Sequence, residues 1–135
     1  MLLPKGTVFA VADGEQFKLF RNEGTEAEPD LRSMGTPDLD PTNYSSGIRR
    51  IPNTGNPGDD QLEEDAHAIA VTEWLNDQAI KGEIKKLVII ADPRSLGEMR
   101  KKYHQKLEQA LICDLDRTLT NVSTDEIVKV VRAAS

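Results

Sequence analysis

The sequence predicts an α/β fold: one domain of two or three layers, with a mixed sheet that opens with an antiparallel hairpin. Three observations predict it. Two β-rich runs joined by Asp13-Gly14 open the chain, helix and strand patterns alternate in the second half, and residues 87–91 are apolar throughout. A strand with no polar face is buried on both sides, so helices must cover the sheet around it. At 135 residues, 38% of them hydrophobic, the chain is long enough for one core and short for two.

Residues 7–13 read as the first strand, and their nearly continuous apolar content points to burial on both faces. Asp13-Gly14 is a hairpin-turn pair. Residues 16–21 form the second strand, with Phe17 and Leu19 on one side and Lys18 and Phe20 on the other. Residues 25–58 then break the pattern with Pro29, Pro37, Pro41, Pro52 and Pro57 and few apolar anchors. A flexible Pro/Gly/acidic loop is expected there, with a short edge strand near residues 46–51.

A long helix follows. Asp60 with Glu63 makes an acidic capping box. Leu62, Ala66, Ile69, Ala70 and Trp74 mark its apolar stripe, and Gly82 punctuates its end near Ile80. Residues 87–91 are a central strand. After it, Asp92-Pro93 suits a helix start, and Ser95 with Glu98 reads as a capping box. One helix is expected over residues 94–110, with Leu96, Met99, Tyr103, Leu107 and Ala110 facing the core. Residues 112–119 alternate, with Ile112, Asp114, Asp116 and Thr118 on one side and Cys113, Leu115, Arg117 and Leu119 on the other. Two acids on one face mark an edge strand. Ser123 and Glu126 cap a last helix whose stripe is Ile127, Val130, Val131 and Ala134.

No catalytic motif emerges. There is no glycine-rich phosphate loop and no His-Glu-x-x-His spacing, and His67 and His104 read as surface residues. Asp13, Asp92, Asp114 and Asp116 read as structural acids. A divalent-metal nuclease would need three acids to converge. One cysteine, Cys113, excludes an intrachain disulfide and reads as a small buried hydrophobe. The reading is of no catalytic residue, no metal site and no cofactor. The opening residues do not have the form of a signal peptide and no run approaches a bilayer span, so a cytoplasmic protein without membrane insertion is expected.

Charge is the unusual signal. The net charge is −6, yet residues 59–80 carry seven acids and no lysine or arginine, and residues 81–106 carry eight bases and three acids. Placed on opposite sheet faces, these two helical segments would make the molecule strongly dipolar. Arg94, Arg100, Lys101, Lys102 and Lys106 are the candidate contacts for a protein partner or RNA. Only Tyr103 offers an aromatic ring among them, and its spacing turns it to the core.

The run Leu-Pro-Lys-Gly-Thr-Val-Phe-Ala-Val-Ala-Asp-Gly-Glu at residues 3–15, the run Ala-Asp-Pro-Arg-Ser-Leu-Gly-Glu-Met-Arg-Lys at residues 91–101, and the segment from Asp114 to Asn121 resemble the bacterial host attachment protein family. That family is similar to the middle domain of archaeal and eukaryotic peptide-chain release factors. The resemblance implies a ribonuclease-H-like fold and a role in attachment to host cells. In the release factors a Gly-Gly-Gln loop before the long helix promotes peptidyl-tRNA hydrolysis. Residues 53–58, the corresponding loop, read Asn-Thr-Gly-Asn-Pro-Gly and lack it. Three readings follow in order: a non-enzymatic adaptor or regulator of host attachment acting through an unidentified protein partner, an RNA- or ribosome-associated module, and a divalent-metal nuclease. The oligomeric state stays open.

Overall fold

The computed structural model describes residues 3–37, 39 and 59–134. Strands β1 (Val8–Ala12) and β2 (Phe17–Asn22) form the expected hairpin, and β3 (Leu31–Gly35) adds to it. Helix α1 (Asp59–Ile80) leads to β4 (Leu87–Ala91). Helices α2 (Pro93–Arg100) and α3 (Gln105–Ala110) precede β5 (Leu111–Asp116), and α4 (Thr124–Ala133) closes the chain. The sheet order is β3-β2-β1-β4-β5. The β1–β2 and β2–β3 pairs are antiparallel, and the β1–β4 and β4–β5 pairs are parallel.

Both central strands are buried along their whole length. On one face Val8, Ala10, Leu87 and Ile89 pack with Val71 and Leu75 of α1, Leu96 and Met99 of α2, and Leu107 of α3. On the other, Phe9, Val11, Val88 and Ile90 pack with Ile127 and Val131 of α4. The result is three layers: α1, α2 and α3 on one side of the sheet and α4 on the other. Alternation along β1 and β4 forces this, because each strand sends large apolar groups to both sides.

Four expectations change. The third strand described is Leu31–Gly35, within the stretch read as a loop. The strand proposed for residues 46–51 lies outside the described residues, as do most of the residues from 38 to 58. Second, the helix expected over residues 94–110 is two helices. The buried Asn76 side chain of α1 enters the break. Its Nδ2 donates to the Lys102 carbonyl at 2.9 Å, and its Oδ1 accepts from the His104 amide at 2.9 Å. His104 then caps α3, its Nδ1 accepting from the Lys106 amide at 3.0 Å. Third, Ser95 does not cap α2, and the cap is Asp92, in keeping with the helix start read at Asp92-Pro93. Asp92 Oδ2 accepts from the Ser95 amide at 3.1 Å, and Ser95 itself is buried. Fourth, the strand expected over residues 112–119 is Leu111–Asp116, and a register shift where it meets Leu87 and Val88 puts Ile112 and Cys113 against the same apolar layer, so the alternation holds only from Cys113 to Asp116.

Other features follow the sequence. Helix α1 ends at Ile80 on a Schellman turn. The Gly82 amide donates to Ala79 and the Glu83 amide to Gln78, with Gly82 at φ +76. Ser123 caps α4 by accepting from the Glu126 amide. The pattern places β5 at an edge, and it lies there. The start of α1 differs: its backbone begins at Asp59, so Asp60, read as the cap, lies within the helix.

Asn76 joins three segments at once, and both its partners are main-chain groups at a helix break. Asn76→Ala is expected to cost about 1 kcal/mol, because the partly buried hydrogen bonds to the Lys102 carbonyl and from the His104 amide are both lost. Urea unfolding of the two proteins measures this. A loss below about 0.5 kcal/mol would show that the break is held by other contacts.

Candidate nucleic-acid interface

The five basic residues singled out from sequence fall on α2, on the break after it and on the start of α3. Packing puts α2 and α3 directly against α1, so the acidic and basic helices share one face of the sheet. The dipole expected from opposite faces does not form. Instead the neighbouring charges pair. Arg94 Nε and Nη2 donate to Asp65 Oδ1 and Oδ2 at 3.2 and 3.1 Å. Arg100 forks onto Asp114 of β5, with Nε–Oδ2 at 3.0 Å and Nη2–Oδ1 at 2.8 Å. Lys101 Nζ meets Glu98 Oε1 at 3.1 Å.

Asp114 is the best-held of these acids. The Tyr103 hydroxyl also donates to its Oδ2 at 3.0 Å. The Arg100 hydrogen bond, ahead of the cost of burial, holds the Asp114 carboxyl below its ordinary range, with Tyr103 contributing. Burial, and then the Asp114 charge, push the Tyr103 hydroxyl far above its ordinary value. Tyr103 therefore stays a neutral donor facing the core edge and is no stacking platform. Cys113, next in line, is half-buried, and burial raises its thiol.

Lys102 and Lys106 are different. Both are exposed, and no ion pair is formed by either among the described residues. The same holds for Lys81, Lys85 and Lys86 in the turn between α1 and β4. These three were counted in the basic stretch but not singled out, since their place beside Lys102 depends on the tertiary packing of α1.

The opposite end of the parallel strands is acidic and tied down. Asp13 Oδ1 accepts from the Glu15 and Gln16 amides at 2.8 and 2.6 Å, and Oδ2 from the Thr120 hydroxyl at 2.8 Å. Although burial opposes them, these bonds and the nearby His67 leave the Asp13 carboxyl below its ordinary value. His67 is half-buried rather than a surface residue, and its Nδ1 donates to the Asp13 carbonyl at 2.9 Å. Lys18 donates to the Thr120 carbonyl. Asp116 pairs with Arg117 at 3.0 Å. Asp13, Asp92, Asp114 and Asp116 thus each serve a separate local contact. Among the described residues, no three histidine, cysteine or acidic side chains converge to hold a metal ion.

The model of bacterial archaeo-eukaryotic release factor family 12 matches residues 6–131. The chain belongs to that family. The match runs from the turn before β1 to the last turn of α4, so it covers the whole sheet and both helical layers. It agrees with the release-factor half of the resemblance noted above and carries no host-attachment assignment. No curated protein matches the chain. Within this member of family 12, the loop that would correspond to Gly-Gly-Gln, residues 53–58, lies outside the described residues. Among the described residues no helix is long and apolar enough to cross a membrane.

The Arg100–Asp114–Tyr103 contact predicts a pH dependence. A carboxyl whose folded pKa is lowered stabilises the fold above its unfolded pKa and loses that contribution as pH falls through the folded value. Asp114→Asn should cost about 1 kcal/mol at pH 7, a modest figure because Arg100 is half exposed. The gap should shrink below about pH 4. Denaturant melts of both proteins from pH 7 to pH 3 measure it, and a gap that stays constant would remove the charge from the account.

Proposed function

We propose that this chain is an RNA- or ribosome-associated module of the release-factor type, working in the cytoplasm without the Gly-Gly-Gln chemistry of peptidyl-tRNA hydrolysis. The family match across residues 6–131 carries this reading. The surface supports it. A chain of net charge −6 nonetheless presents exposed lysines, including Lys102 and Lys106, with no acid paired to them among the described residues. Phosphate groups are the natural counterpart of such lysines, and their attraction is long-ranged and screened by salt. Residues 53–58 carry Asn-Thr-Gly-Asn-Pro-Gly, so the reading is of binding rather than hydrolysis. The adaptor role in host attachment, placed first from the sequence, draws on the resemblance alone and has no observation of this chain behind it.

Fluorescence anisotropy of a labelled tRNA with the purified protein tests the reading at about 50 and 200 mM salt. The expected outcome is binding at low salt that weakens by about tenfold or more across that range. Absence of binding at low salt would overturn it and return the protein-partner reading to first place.

A further inference from the structure

We propose that the phosphate-contacting surface of this protein is the lysine end of the sheet, Lys81, Lys85, Lys86, Lys102 and Lys106, rather than the arginine-bearing length of α2. The proposal rests on the RNA reading above and says where on the molecule the contact falls.

Five contacts bring these lysines to one end. The Lys86 carbonyl accepts from the Val8 amide at 2.9 Å, which fixes residue 86 at the N-terminal end of β1 and β4. Leu87 pairs with Leu111, so the start of β4 lies beside the start of β5, directly after α3. Asn76 on the last turns of α1 holds the Lys102 carbonyl and the His104 amide, while Lys81 follows four residues after Asp77 and donates its amide there at 3.0 Å. The turn after α1, the α2–α3 break and the first turn of α3 therefore meet around one helix end. Residues 81–86 and 101–106 hold six lysines and a single acid, Glu83. Lys101 is the sixth lysine, already paired with Glu98.

Two physical points favour this end. The C-terminal end of α1 carries the negative pole of a 22-residue helix, so a cluster of cations there costs the fold little. The lysines are also available. Arg94 and Arg100 would have to leave two-pronged carboxylate contacts to reach a phosphate, and Arg100 would abandon Asp114 at the sheet edge. The five lysines break no ion pair among the described residues by binding. They are flexible point charges, suited to a sequence-independent backbone contact rather than to base reading.

Matched variants decide the matter. Lys102→Gln/Lys106→Gln and Arg94→Gln/Lys101→Gln remove the same formal charge, and neither touches Arg100. A third protein carries glutamine at all five lysine positions. Circular dichroism confirms that each is folded, and labelled tRNA is the probe. The five-site variant should lose at least tenfold in affinity, and its slope of log affinity against log salt should fall by about 3. The Arg94/Lys101 pair should stay within about twofold of the parent, while the Lys102/Lys106 pair weakens several-fold. Equal losses from the two pairs, or a larger loss from Arg94/Lys101, would overturn the placement and leave the RNA reading standing. A parent protein that binds no tRNA would overturn the RNA reading itself, and the placement with it.

Discussion

The rest of the structure depends on one pairing, β1 against β4. Both strands are five residues long, parallel, and buried on both faces. Parallel pairing cannot be closed by a tight turn, so the chain must leave the end of β1 and return to the start of β4. Helix α1 makes that return. Its hydrogen bond from His67 lies at the end of β1, and Ala79 packs at the other end of the core. Twelve residues of helix span about 18 Å, and five residues of strand span about 17 Å. The helix thus ends where β4 must begin. Gly82 turns the chain there, and the residues of the turn have to be soluble. In this protein several of them are lysines.

The same geometry settles how the charges are used. The acid-rich helix and the base-rich helix lie side by side, so Arg94 and Asp65 neutralise one another. Arg100 holds an acid of the outermost strand, which otherwise presents a carboxylate beside an apolar layer. Salt bridges this exposed contribute little stability each. Their larger effect is on which charges remain to meet a partner. Among the described residues the lysines at the N-terminal end of the strands form no ion pair, whereas Asp13 at the other end is held by its hydrogen bonds.

Much of the fold was legible because apolar periodicity is a direct consequence of burial. The unbroken run 87–91, the alternation of Phe17 and Leu19, and the Ser123 cap all correspond to observed features. The illegible parts turned on partners far away in sequence. Nothing near residue 102 announces that Asn76, 26 residues earlier, will break the helix there. Leu31–Gly35 has one buried residue in five and therefore no apolar pattern to read. The candidate surface was legible as a basic stretch but not as a site. Pairing of Arg94 and Arg100 depends on Asp65 and Asp114, which only the packing of α1 and β5 supplies. Lys81, Lys85 and Lys86 joined Lys102 for the same reason.

The central claim is that the fold gathers at one end of the sheet, for a phosphate partner, lysines that form no ion pair among the described residues. Lysine acetylation footprinting, read by mass spectrometry with and without tRNA, tests it most directly. The account predicts that tRNA slows acetylation of Lys81, Lys85, Lys86, Lys102 and Lys106 several-fold, while Lys129 on the opposite layer reacts at its unbound rate. Uniform protection of all lysines, or protection centred on Lys129 and α4, would contradict it.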